Sequence, residues 1–184
     1  MEMGERLATE VKQYIISFCP SSCLSKISFI GHSLGGVVIR ASLPHLSEYS
    51  SKFFTFISLS SPHIGQMYNS SKLVEIGTWV IKKWRKSKCL QQLSMTDDSN
   101  MENTCLYRLS ELPGLCWFKN IVFVCSSQDN YVPYDSARIQ ICKAAQLAGE
   151  GKESQYIKMA TNLLGDITAK LIYRLDVNFQ IKEK

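Results

Sequence analysis

Ser33 stands at the centre of a five-residue pattern, Gly31-His32-Ser33-Leu34-Gly35, in which a glycine lies two positions away on each side. A serine in this G-x-S-x-G pattern can act as a nucleophile when it sits on a tight turn between a strand and a helix. Glycine suits such a turn because it has no Cβ to keep the strand and the helix apart. Gly-Ser turns also produce the pattern by chance, so its meaning depends on the flanking segments.

The flanking segments fit the strand-turn-helix arrangement. Residues 26–30 (KISFI) form a short apolar run that predicts a buried strand, and the apolar residues after Leu34 predict a helix that Pro44 weakens or bends. Two later runs, residues 53–59 (FFTFISL) and 120–126 (NIVFVCS), predict further buried strands. Each of these runs leads into a polar loop, SSPHIG after the first and SQDNYVP after the second.

The remaining segments predict one α/β domain over residues 1–184, with a helical insertion at about 67–110. Apolar spacing of three and four residues predicts a helix over residues 5–18, with a face formed by Leu7, Val11, Tyr14, Ile15 and Phe18. Further helices are predicted over residues 134–147 and 155–164, and period-two alternation predicts a last strand from Leu171. The order strand, helix, strand, insertion, strand, helix indicates a parallel sheet.

The composition excludes several classes of protein. The net charge of +5 is moderate and mostly scattered, so no nucleic-acid partner is expected. No apolar run reaches the roughly 18 residues of a membrane span, and no signal core opens the chain, so a soluble, cytoplasmic protein is expected. Seven cysteines, several within apolar runs, favour a reducing compartment. Cys19 and Cys23 have no second ligand pair at metal-binding spacing, so neither a metal nor another cofactor is expected.

Three motifs in order, GHSLGG, SSPHIG and SSQDNYVPYDSAR, resemble those of the lipase-like serine esterases of the α/β-hydrolase superfamily. The segments YNSSKLVEIGTWVIKKW and FKNIVFVCSSQDNYVPYDSARI are similar to the C-terminal hydrolase domain of the proteins called family with sequence similarity 135. The resemblance covers nearly the whole chain. It implies an α/β-hydrolase-like fold, with a partial parallel sheet, helices on both faces and the helical insertion.

The resemblance implies a role for three matching residues. Ser33 would be the nucleophile, the backbone N–H of Leu34 would be an oxyanion donor at the start of a helix, and Asp129 would be the triad acid. The alternative for Asp129 is a turn or helix-cap aspartate, because Asp and Asn are favoured in turns. Asp135 fits a cap of its own helix better.

The triad histidine that the resemblance requires is missing, because none of the three histidines follows Asp129. His32 is expected to face away from the pocket, and His45 is expected at the surface. His63 lies in a loop after a parallel strand, so it is either an improvised base or a structural histidine. Only about 30 residues precede Ser33, fewer than family members have before their nucleophile. We therefore expect an incomplete hydrolase domain, from truncation or a gene-model error, whose partner is the remainder of the full-length protein.

A basic and aromatic cluster runs from Trp79 to Lys88 within the insertion. One interpretation is a lid that makes peripheral contact with a membrane surface, where Trp and Lys are both favoured. The other is a helix that packs its apolar side on the sheet and leaves its lysines in water.

The expected function is part of a serine esterase that hydrolyses a lipid or other acyl ester through an acyl-enzyme on Ser33. The chain by itself is expected to be inactive, because a serine hydroxyl needs a base. The alternative is a non-catalytic hydrolase-like module that binds lipid or a protein partner.

Overall fold

The structure, a computed structural model, describes residues 1–19, 23–66, 87–142, 152–165, 167 and 171–180. The strands in these ranges are β1 (Ile27–His32), β2 (Phe53–Leu59), β3 (Asn120–Cys125) and β4 (Leu171–Asp176). The α-helices there are α1 (Glu2–Phe18), α2 (Leu34–Ser42), α3 (Lys88–Leu93), α4 (Cys105–Ser110), α5 (Tyr134–Arg138) and α6 (Lys152–Gly165). Short 3₁₀ segments span Leu43–Lys52, Met101–Asn103 and Leu115–Trp117.

The four strands form one parallel sheet in the order β1-β2-β3-β4. Parallel neighbours must be joined by crossover segments, and here α2 with the first 3₁₀ segment connects β1 to β2. The end of α2 at Ser42 agrees with the bend predicted at Pro44. The bounds of β1, β2 and β3 lie within two residues of the predicted ones, and β4 begins at Leu171 as predicted. The prediction of an α/β-hydrolase-like parallel sheet with helices around it is confirmed.

One face of the sheet forms the main core. Alternate residues of a strand share a face, and on this face the side chains of Phe56, Ile121 and Phe123 are completely buried. The ring of Phe118 packs between the rings of Phe53 and Phe56, with centroid distances of 4.9 and 5.5 Å. Residues of α1, α2, α4 and α6 join the same core. Each buried aromatic contributes about 1.5–3 kcal/mol, so this face holds the helices to the sheet.

The opposite face of the sheet carries an apolar row that is much less covered. Ile30 pairs with Ile57, Ile57 with Val122, and Val122 with Tyr173, so the row crosses all four strands. Ile30 is 67% exposed and Tyr173 is 47% exposed. The strands of a parallel sheet are usually apolar throughout because both faces of the sheet are covered. Here the helices of the main core cover one face, so burial on that face does not explain the apolar residues on the other.

The first helix buries only part of the predicted face, of which Leu7 and Val11 pack against the core. The most buried residues of α1 are Gly4 and Ala8, whereas Tyr14 and Phe18 are 63% and 70% exposed. A Cβ on Gly4 would lie 2.6 Å from the Cβ of Ala41, so α1 crosses α2 at very close range. The apolar periodicity correctly predicted a helix. The way α1 crosses α2 depends on small residues, however, and the predicted apolar face did not include them.

The helix that follows β3 is shorter than predicted. It ends at Arg138 because Ile139 adopts a left-handed φ of 50°, which interrupts the helical hydrogen bonds. Residues 143–151 of the predicted helix and its boundary lie outside the described residues. The later helix, α6, contains the whole of the predicted segment 155–164.

The described part of the predicted insertion packs into the core. Leu93 of α3 and Leu106 and Leu109 of α4 are all at least 90% buried. Residues 67–86, and with them most of the segment from Trp79 to Lys88, lie outside the described residues. Within the described ranges, no helix has the length and apolar character needed to span a bilayer.

Candidate active site

Ser33 lies on the turn that joins β1 to α2. Its backbone has φ of 52° and ψ of −125°, a conformation that costs free energy for any residue with a Cβ. Its N–H donates to the carbonyl oxygen of Leu59 at 2.9 Å, which holds the turn against the end of β2. The side chain is partly exposed. The strand-turn-helix arrangement predicted around Ser33 is therefore what the structure shows.

Two glycines allow this turn, and only one of them, Gly31, belongs to the G-x-S-x-G pattern. A Cβ on Gly31 would lie 2.6 Å from the backbone nitrogen of Gly36. A Cβ on Gly36 would lie 2.7 Å from the Cβ of Ser61 and 3.2 Å from the hydroxyl of Ser58. A Cβ on Gly35 would meet nothing within 4 Å. The close approach of strand, helix and neighbouring loop therefore requires Gly31 and Gly36.

Leu34 is the first residue of α2, so its N–H has no acceptor within the helix. No other acceptor for this N–H is found in the described part of the chain. The amino end of a helix also carries a partial positive charge, which favours an anion. The amide of Leu34 can therefore donate to an oxygen that develops negative charge next to Ser33.

Asp129 lies in the loop after β3, four residues beyond Cys125. Its Oδ1 accepts hydrogen bonds from the N–H of Tyr131 at 2.8 Å and from the N–H of Val132 at 3.1 Å. Asp129 therefore does stabilise a turn, which was the alternative interpretation of this residue. Oδ2 has no partner among the described residues, so the same carboxylate can also orient a second group.

The predicted capping role of Asp135 is wrong. The cap position of α5 is Pro133, and no side-chain hydrogen bond caps this helix. Proline begins helices readily because its φ is already helical and it lacks an N–H to satisfy. Asp135 instead lies in the first turn. Burial raises the pKa of its carboxyl group above the usual value, and the nearby Arg138 offsets only part of this increase.

Ser33 and Asp129 lie at the same edge of the sheet, the edge where the parallel strands end. The end of β2 lies between them, and adjacent strands are about 4.8 Å apart, so β1 and β3 are separated by about 10 Å. Ser60 occupies the middle of this gap with a φ of 44°, and its N–H donates to the carbonyl of Val124 at 2.8 Å.

None of the three histidines forms a hydrogen bond with Ser33 or Asp129 in the described part of the chain. His32 and His45 are both exposed, the first at the end of β1 and the second in the Leu43–Lys52 segment. His63 is completely buried, and its Nε2 lies 2.7 Å from the hydroxyl oxygen of Ser58. The partner of His63 is therefore Ser58 and not Ser33, which supports the structural interpretation of this residue.

The contacts of His63 define its protonation. Nη1 of Arg40 lies 3.4 Å from Nδ1 of His63, and arginine can only donate, so Nδ1 is the acceptor and Nε2 carries the proton. The Nε2–H then donates to Ser58. Burial, and secondarily the charge of Arg40, hold the pKa of His63 well below its usual value. His63 is neutral under ordinary conditions.

Arg40 is a residue of this region that the sequence analysis missed. Its side chain is only 3% exposed, and it lies in the last turn of α2, the helix that begins after Ser33. Nη1 donates to the carbonyl of His63 at 2.8 Å and Nη2 donates to the carbonyl of Leu109 at 3.3 Å. Arg40 therefore ties α2 to the loop after β2 and to α4. The sequence feature that could have identified Arg40 is that it is the single charged residue within the apolar segment LGGVVIRAS.

A family model described as "Putative serine esterase (DUF676)" matches residues 1–144, which include Ser33, Leu34 and Asp129. The chain belongs to this serine esterase family. The lipase-like serine esterase resemblance drawn from the three motifs is thereby confirmed.

Two yeast relatives of this esterase family member are described as lipases. "Putative lipase ROG1" of Saccharomyces cerevisiae is 30% identical over 113 residues, which cover 58% of this chain and 16% of the yeast protein. "Putative lipase YDL109C" of the same yeast is 28% identical over 151 residues, which cover 77% of this chain and 23% of that protein. The match thus spans less than a quarter of the length of either relative.

The buried His63 of this esterase family member predicts a specific pH dependence of stability. Its folded-state pKa is lowered, so at about pH 6.5 and below the unfolded chain takes up a proton that the folded chain does not. We expect the free energy of unfolding to fall as the pH is reduced from 7.5 to 5.5, with a His63 contribution approaching about 1.4 kcal/mol per pH unit. Urea unfolding across this range measures the slope.

The matched variants are His63→Gln and His45→Gln. Glutamine at position 63 retains an amide donor for Ser58 but does not titrate, so this variant should lose that part of the slope. The change at the exposed His45 should leave the slope as it is. An unchanged slope in His63→Gln would contradict the assignment.

Proposed function

We propose that this chain forms part of a serine esterase that hydrolyses a carboxylic ester through an acyl-enzyme on Ser33. The observation that carries the proposal is the strained turn of Ser33 at the amino end of α2, within a chain that belongs to a serine esterase family. A serine on this kind of turn presents its hydroxyl at the edge of the sheet, beside an amide that can stabilise an oxyanion.

The proposed roles follow the positions of the residues. The Oγ of Ser33 loses its proton to a histidine and attacks the ester carbonyl carbon. The N–H of Leu34 stabilises the resulting oxyanion, and Asp129 orients the histidine and stabilises its positive charge. The histidine then protonates the departing alcohol, which leaves the acyl group on Ser33. Water, activated by the same histidine, releases the acid and restores the serine. No metal or other cofactor is needed for these steps.

We propose that the histidine comes from polypeptide outside these 184 residues. His63 is buried against Ser58, and His32 and His45 are exposed and form no hydrogen bond with Ser33 or Asp129 among the described residues. A serine hydroxyl without a base is a poor nucleophile, so the chain alone should be inactive. The remainder of the full-length protein would then be the partner of this chain.

The proposed substrate class is a lipid acyl ester. Its support is the description of the two yeast relatives as lipases. A second candidate function is a non-catalytic module that binds lipid or a protein partner, and the absence of a suitably placed histidine favours it for the isolated chain.

Labelling with a fluorophosphonate tests the proposal, because this probe reacts covalently with an activated serine. We expect little labelling of the 184-residue chain and strong labelling of the chain extended by its flanking coding sequence. Ser33→Ala should abolish the labelling of the longer protein. The matched control is Ser60→Ala, which removes a serine from the same edge and should leave the labelling in place.

Two outcomes would contradict the proposal. Strong, Ser33-dependent labelling of the short chain would show that the base lies within it. No labelling of either protein would favour the binding module over the esterase.

A further inference from the structure

The segment that follows β4 lies beside the loop that contains Asp129. The N–H of Val177, the first residue after β4, donates to the carbonyl oxygen of Cys125 at 2.8 Å. The hydrogen bonding between β3 and β4 therefore extends one residue past the end of β4. After Cys125 the loop backbone turns, because the N–H of Asp129 donates back to the carbonyl oxygen of Ser126 at 3.2 Å. The loop thus does not continue as a strand.

The side-chain amide of Gln128 supplies the next pair of hydrogen bonds to this segment. Its Nε2 donates to the carbonyl oxygen of Phe179 at 3.1 Å, and its Oε1 accepts from the N–H of Phe179 at 2.6 Å. A primary amide has a donor and an acceptor, as a peptide group does, so it binds both backbone groups of one residue. Phe179 itself is 62% exposed. Gln128 therefore holds the backbone at this position and not the aromatic ring.

Gln128 and Asp129 are consecutive residues of one turn, so their Cα atoms are only about 3.8 Å apart. The hydrogen bonds of the Asp129 carboxylate run to the N–H groups of Tyr131 and Val132, within the same loop. Those bonds shape the turn. The bonds from Gln128 connect the turn to the sheet, since Phe179 lies three residues beyond the end of β4. A movement of Gln128 would carry the neighbouring carboxylate with it.

The helix after this loop has its own connection to β4. The hydroxyl of Tyr134 donates to Oδ1 of Asp176 at 2.7 Å, and Arg138 forms an ion pair with the same carboxylate. These contacts hold α5 in place without Gln128, whose side chain is exposed. Loss of Gln128 should therefore leave the fold intact and release the turn that carries Asp129.

We propose that Gln128 is a positioning residue of the esterase site, which fixes the turn of Asp129 against β4 through the backbone of Phe179. The proposal rests on the proposed function, in which Asp129 orients a histidine. Small displacements of a catalytic group lower the rate strongly, so the contribution of Gln128 is to kcat. It acts through Asp129 and not on substrate binding.

Hydrogen exchange of the 184-residue chain tests the contact without any activity. Gln128→Met keeps the length of the side chain and removes both hydrogen bonds, so the amide of Phe179 should exchange at least about tenfold faster. The amide of Val177, which is bonded to Cys125, should keep its protection. Ser127→Ala, at the exposed neighbouring position, should leave both amides as they are. Unchanged exchange at Phe179 in Gln128→Met would overturn the proposal.

Hydrolysis of a p-nitrophenyl acyl ester by the chain extended with its flanking sequence tests the positioning role. Gln128→Met should lower kcat by about tenfold and leave KM within about twofold. Its melting temperature should fall by no more than about 4 °C, because the lost hydrogen bonds are exposed to solvent. In an Asp129→Asn background the same change should alter kcat by less than about twofold, since the two residues act as one unit.

Three kinetic results would contradict the proposal. An unchanged kcat in Gln128→Met, or an equal loss of kcat with Asp129 and with Asn at position 129, would show that Gln128 does not act through Asp129. An extended parent protein that hydrolyses no ester would contradict the esterase and, with it, the catalytic role of Gln128. Exchange at Phe179 would still show in that case whether Gln128 holds the segment.

Discussion

Asp129→Asn is expected to lower the kcat of ester hydrolysis by about 10⁴-fold, the loss typical when a triad aspartate becomes asparagine. The substitution separates the observed turn role of this residue from its proposed role in catalysis. Asparagine keeps an oxygen that can accept from the N–H groups of Tyr131 and Val132, so the loop is preserved. It removes the negative charge that stabilises a histidine cation. Hydrolysis of a p-nitrophenyl acyl ester by the chain extended with its flanking sequence measures the effect.

The control for this experiment is Asp135→Asn, which neutralises a second, partly buried aspartate six residues further on. Its activity should stay within a few-fold of the parent. Asp129→Ala should, in addition, destabilise the fold by about 1 kcal/mol, since two backbone donors lose their acceptor. If Asp129→Asn retains full activity, Asp129 serves the turn alone and the acid is another residue.

Gly36→Ala is expected to destabilise the chain by about 2 kcal/mol. The new methyl group would lie 2.7 Å from the Cβ of the completely buried Ser61, so the loop after β2 or helix α2 must move. Overpacking of this kind costs about 1–3 kcal/mol. Alanine favours a helix over glycine by about 1 kcal/mol, so a packing cost of about 3 kcal/mol leaves a net loss of about 2 kcal/mol. The turn that carries Ser33 should shift as well. Chemical denaturation of the 184-residue chain measures the loss.

Gly35→Ala is the matched control, because it makes the same change one residue earlier in the same helix. Its Cβ would meet nothing within 4 Å, so alanine should stabilise the chain by about 0.5–1 kcal/mol through helix propensity. Opposite signs for the two neighbours are the expected result. Equal effects would mean that the packing of α2 against Ser61 does not limit position 36.

Local patterns were sufficient for most of the fold. The runs at residues 26–30, 53–59 and 120–126 are apolar and continuous, and each of them overlaps an observed strand. Helix boundaries were harder to predict, because they depend on single backbone conformations. The left-handed φ of Ile139 ended α5 where the apolar periodicity continued. The crossing of α1 over α2 depends on the close approach of Gly4 to Ala41, and a glycine gives no apolar signal.

By itself, the sequence determined where the strands lie along the chain, the turn at Ser33 and the loop that contains Asp129, because short-range apolar spacing and turn residues encode these features. Only the tertiary structure decided which glycine the turn requires, since Gly36 meets Ser61 across the fold. It also decided the role of His63, which is held between Ser58 and Arg40. Such contacts join residues from different elements, and their geometry depends on how the sheet and its helices pack, which no local pattern of residues records.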